Sequence, residues 1–135
     1  MTARSACVAA IALLVSFVAA AGAPRADQAD EAQWAELKEM VFGDRRILDG
    51  DGIVALEAPD RAYDAAIVPV TIRALIPQAE ERYVRTVTLL IDKNPVPVAA
   101  VFHMTPDTGV ATISTRIRIN EYTNVRAVAE TSDCL

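Results

Sequence analysis

Scarcity alone closes several kinds of chemistry to this chain. Its 135 residues include one histidine, His103, and two cysteines, Cys7 and Cys134. A zinc or copper site built from imidazole and thiolate needs several such ligands together, so that class of metal centre is excluded. His103 lies among apolar neighbours with no nucleophile partner in sequence, which favours a sheet-face histidine over a general base. The five glycines form no phosphate-cradling loop. No Ser-His-Asp set or catalytic carboxylate pair stands out either. The expectation is a protein that is not an enzyme and needs no cofactor. Positive charge is also in short supply: 13 Lys and Arg stand against 18 Asp and Glu, a net charge of −5. Nucleic acid and anionic membranes both call for a cationic face, so neither is expected as a partner.

The one long apolar run is at the N-terminus. Arg4 precedes the uncharged stretch from Val8 to Ala21, which is shorter than the roughly 20 residues needed to cross a bilayer. A positive start, an apolar middle and small residues around Ala21 and Ala23 make a secretory signal peptide over residues 1–26. After its removal 109 residues remain, with a net charge of about −7, since Arg4 and Arg25 leave and no acid does. That is enough for one small domain with a single core, residues 30–135. Cys7 departs with the leader, so Cys134 is the one mature thiol. It cannot close an intramolecular disulfide, and is either paired between molecules or free and reactive.

Pro24 to Ala29 is expected to be a short linker. Asp30 then precedes Trp34, Leu37, Met40 and Val41, which share a face at helical spacing. With Gln33 as the third residue of a capping box and Gly43 as the stop, this is one helix of about three turns anchored by Trp34. Asp49-Gly50-Asp51-Gly52 is a turn. No Glu follows at the spacing of a calcium loop, so no metal is assigned there.

From Ile53 onward strands alternate with turns: Ile53 to Glu57, Ala66 to Leu75, Tyr83 to Ile91, Val96 to Thr105, Ala111 to Ile119 and Tyr122 to Thr131. Pro69 implies an edge or a bulge in the second, and Arg85 interrupts the apolar face of the third. Val98, Ala100, Phe102 and Met104 should face inward and His103 outward. Six short strands without intervening helices indicate an all-β, antiparallel immunoglobulin-like sandwich with one N-terminal helix. Such a sandwich usually has about seven strands. The last is expected to be missing, the domain being truncated at its C-terminal end.

Several stretches in the right order carry a family resemblance. They are Trp34-Ala-Glu-Leu-Lys with Val41-Phe-Gly-Asp-Arg, Leu56-Glu-Ala-Pro59 with Arg61-Ala62, and Ala66-Ile-Val-Pro-Val70. Ile91-Asp-Lys-Asn-Pro95 follows with Pro97 and Phe102, then Ile113-Ser-Thr-Arg-Ile-Arg118 and Tyr122-Thr-Asn-Val-Arg-Ala127. Together they resemble the immunoglobulin-like SoxY domain, most closely the SoxYZ-like carriers associated with quinoprotein dehydrogenases. The resemblance implies a periplasmic, non-enzymatic carrier in a thiosulfate-oxidation or quinoprotein-dehydrogenase-associated system. It further implies a SoxZ-like domain or subunit as partner, alongside the dehydrogenase or sulfur-oxidising enzymes. In SoxY proteins a cysteine on a flexible, glycine-rich C-terminal arm holds sulfur covalently, because a tethered thiolate must reach several active sites.

This chain has neither a Gly-Gly-Cys-Gly-Gly-like segment nor a SoxZ-like second half. By register Cys134 stands in place of a turn glycine, well before the carrier cysteine's position; it is a cysteine near the C-terminus by location and not by motif, and is the candidate carrier thiol. Arg116, Arg118 and Arg126 are the candidate anion or partner contacts, since guanidinium forks bind oxyanions in pairs. Their spacing also suits a solvated sheet face. The alternative readings are an interaction module that pairs through an open sheet edge, or a non-functional fragment lacking the carrier arm.

Overall fold

The computed structural model describes residues 25–133, so the signal peptide expected over residues 1–26 lies outside the described residues except for Arg25 and Ala26, which are helical. Helix α1 spans Arg25–Phe42, and six strands follow: β1 (Val54–Glu57), β2 (Val68–Ala74), β3 (Val84–Ile91), β4 (Val98–His103), β5 (Thr112–Ile117) and β6 (Val125–Thr131). They form two three-stranded antiparallel sheets, ordered β1-β2-β5 and β4-β3-β6. This is the sandwich expected from the alternation of apolar and polar residues. Val68, Val70 and Ile72 of one sheet and Val87, Leu89 and Ile91 of the other meet in its core, each no more than 2% exposed. Each such buried side chain contributes about 1.5–3 kcal/mol relative to exposure.

Pro69 sits on the middle strand of its sheet rather than on an edge strand. The chain tolerates it because β1 pairs only with Thr71–Ala74, so at Pro69 β2 has β5 alone as neighbour. Arg85 is accommodated differently. The β3–β6 register shifts between Val84 and Thr86, which lets Val84 and Val87 both be buried while Arg85 turns outward. A second shift, between Leu89 and Leu90 against β4, pairs Leu90 with Val98. Val98 therefore leaves the expected inward set and lines the opposite face, while Ala100, Phe102 and Met104 join the core.

β3 is buried on both sides. Leu90 is fully buried yet lies outside the sandwich core, opposite Arg126 on the outer face of its sheet. Helix α1 covers that face. It begins at Arg25, so Arg25 to Ala29 are helical rather than linker, and Asp30 is an interior residue rather than a cap. Asp30 pairs with Lys93 at 3.1 Å, and Gln33 Nε2 donates to the Asp92 carbonyl at 3.1 Å. Leu37 is the helix's buried residue, whereas Met40, expected on the same face, is 78% exposed. Gly43 ends the helix as expected: at φ 61° its N–H reaches the Glu39 carbonyl at 2.9 Å, a conformation that costs glycine little.

Candidate functional site

The residue of greatest chemical interest, Cys134, lies outside the described residues. What the fold defines is the root from which it extends. At the end of β6, the Ser132 N–H donates to the Tyr83 carbonyl at 2.8 Å, and the Tyr83 N–H donates back to Ser132 Oγ at 3.1 Å. Arg82 Nε then holds Asp133 Oδ2 at 3.0 Å. A hydrogen bond from Thr131, with help from the Asp133 backbone and Arg82, keeps the Asp133 carboxyl below its ordinary range despite some desolvation. The residue immediately before Cys134 is thus fixed to the sheet and carries a neutralised charge.

Beside this root, Glu130 is shared by two arginines from different parts of the chain. Arg45, on the segment after α1, reaches it at 2.8 Å, and Arg85 of β3 pairs with the same Oε1 oxygen. The hydrogen bond from Arg45, then that from Arg85, holds the Glu130 carboxyl below its ordinary value against an opposing push from burial. Arg46 makes no ion pair among the described residues. A cavity of about 520 Å³ opens here, between the end of α1 and the segment running to β1 on one side and the β4-β3-β6 sheet on the other, where Thr86, Thr88, Val98 and Val101 join β6 in its lining.

The three arginines singled out in the sequence do not converge. Arg116 and Arg118 are exposed at one edge of the β1-β2-β5 sheet, Arg116 opposite Pro69 and Arg118 just beyond β5. Arg126 is on the other sheet and already engaged. Its Nε donates to both Asp92 oxygens, at 3.1 and 2.9 Å, and its guanidinium carbon stands 4.4 Å from the Trp34 ring centroid. Arg126 therefore latches α1 to the sheet. Arg45, Arg82 and Arg85 were not singled out, because their acidic partners are distant in sequence. His103 is exposed, with Nδ1 3.5 Å from Thr86 Oγ1. Among the described residues no group of His, Cys, Asp and Glu could hold a metal ion.

The model of the SoxY family, described as sulfur oxidation protein SoxY, matches residues 38–134. The chain belongs to the SoxY family. SoxY proteins are non-catalytic sulfur carriers. Among solved structures, the chain is similar to the sulfur carrier protein SoxY from Chlorobium limicola f thiosulfatophilum. The TM-score is 0.58 at 23% identity, covering 74% of this chain and 84% of that one. At that identity the likeness establishes a shared SoxY fold. No match was found among curated proteins.

Proposed function

We propose that this SoxY chain is a periplasmic sulfur carrier, that Cys134 is its carrier thiol, and that it works with a SoxZ-like partner. The observation that carries this reading is the position of Cys134. It directly follows the anchored root Ser132-Asp133 and falls inside the stretch matched by the family. A thiolate tethered to a rigid sandwich can be presented to successive enzymes while the fold itself stays unchanged. The sequence stretches quoted above favour the subgroup associated with quinoprotein dehydrogenases. Arg116 and Arg118, exposed and unpaired among the described residues, remain the candidate contacts for an anionic cargo or an acidic partner.

Loading such a thiol balances only with an electron acceptor. Thiosulfate and the Cys134 thiol join through a new S–S bond with loss of the thiol proton and two electrons, which an oxidising partner must take up. Intact mass after incubation with thiosulfate and a sulfur-oxidising extract tests this. An adduct on Cys134 supports the carrier; its absence with an active extract removes the assignment.

A second reading, pairing through an open sheet edge, is favoured by β6, which among the described residues is hydrogen-bonded to β3 alone. Size-exclusion chromatography with and without a SoxZ-like domain tests it. A monomer indifferent to that domain counts against it.

A further inference from the structure

The outer face of the β4-β3-β6 sheet is laid out in rows across the strands. Thr86 stands between His103 and Glu130, Thr88 between Val101 and Val128, and Leu90 between Val98 and Arg126. Most polar side chains on this face have partners: Thr86 meets His103, Glu130 meets Arg45 and Arg85, and Arg126 meets Asp92. Thr88 is the exception. It is 7% exposed, and its hydroxyl makes no hydrogen bond among the described residues.

A buried polar group without a partner is uncommon and calls for a physical reason. Here the reason is the cavity of about 520 Å³ that Thr88 lines. Among the described residues no fully sealed side-chain nitrogen or oxygen lacks a partner, so the Thr88 hydroxyl faces that open space. Phe42, Ile47 and Leu48 form the wall across from the sheet. Leu48 and Val101, both in the lining, are 68% and 46% exposed. The charges at the rim are largely matched, Arg45 by Glu130 and Arg82 by Asp133. Arg46 and Asp49 have no ion pair among the described residues, and their signs oppose. The lining therefore selects no ion. Small-molecule sites share this make-up: a concave, largely apolar space of roughly 300–1,000 Å³ in which a few polar groups fix orientation.

We propose that this cavity binds an uncharged small molecule with an apolar body and a carbonyl oxygen. The body lies between Val101 and Val128 of the sheet and Phe42, Ile47 and Leu48 opposite. The carbonyl accepts a hydrogen bond from the Thr88 hydroxyl, which has one proton to give and no described acceptor for it. The site is independent of the thiol chemistry assigned to Cys134.

The test is a titration of the isotope-labelled mature chain with benzophenone, whose carbonyl joins two apolar rings, read by chemical shifts. The comparison ligand is the diphenylethylene in which a methylene group replaces that oxygen. Shifts should concentrate at Leu48, Thr88 and Val101. Benzophenone should bind about threefold to tenfold more tightly than its analogue, the worth of one neutral hydrogen bond. Thr88→Val should erase that advantage and leave the analogue's affinity unchanged, while Thr88→Ser should keep it. Thr88→Val should not lower the melting temperature, because the hydroxyl it removes has no partner in the fold. A lowered melting temperature would mean that the hydroxyl serves the fold instead. That result, an absence of shifts at the cavity, an advantage of benzophenone that survives Thr88→Val, or tighter binding of para-benzoylbenzoate, which adds a carboxylate, would each overturn the proposal.

Discussion

Arg126 holds buried Asp92 with its Nε, 2.9 Å from Oδ2, while the Trp34 ring covers the guanidinium from the helix side. Three elements meet at this point: the turn after β3, strand β6 and helix α1. Asp92 is 4% exposed, and among the described residues that guanidinium is its ion-pair partner.

Arg126→Ala should therefore destabilise the domain by about 3 kcal/mol, because removing one partner strands a buried carboxylate. Arg126→Lys should recover only part of this, as an ammonium cannot both reach Asp92 and stack on Trp34. Urea unfolding of the two variants measures the difference.

Glu130 should make stability fall in acid. Its folded pKa is depressed below the ordinary 4.5. The stabilisation is thus complete above that value and is lost as pH drops below it, through the folded pKa. Glu130→Gln should cost about 1 kcal/mol near neutrality, as half-exposed ion pairs do. Its melting temperature should decline less than that of the wild type between pH 6 and pH 3, two settings chosen to bracket the transition.

The helix should prove integral to the fold. Leu90→Ala, on the helix-covered face of β3, should cost about 2–5 kcal/mol, like a core leucine. Met40→Ala, at a side chain 78% exposed, should change stability by less than about 0.5 kcal/mol. Equal small effects at both would mean that α1 does not seal the sheet.

The strands were legible because apolar residues alternate in the sequence and the turns carry Pro, Gly and Asp. The second buried layer was not. The run Leu89-Leu90-Ile91 gives no period to show that Leu90 faces a helix, and two register shifts move Arg85 and Val98 off the simple alternation. Asp30 and Gln33 fit a capping box by spacing, but their partners are Lys93 and the Asp92 carbonyl, about 60 residues on. The same distance in sequence hid the corner at Glu130, where Arg45 and Arg85 meet only once the chain has folded. Arg126 reads in sequence as an anion or partner contact beside Arg116 and Arg118, yet its role as a latch depends on Asp92, 34 residues away.

Ser132→Ala should loosen the root of the carrier thiol. It removes the acceptor for the Tyr83 N–H, at a cost of about 1 kcal/mol. Amide exchange at Tyr83 should quicken, while exchange in β2 should stay as it was.

The carrier assignment is tested most directly by the intact mass of the mature chain and its Cys134→Ser variant after incubation with thiosulfate and an electron-accepting, sulfur-oxidising partner. The account predicts a sulfur adduct on the wild type and none on the variant. No adduct with an active partner, or labelling no greater than that of an unrelated peptide with an exposed thiol, would contradict it.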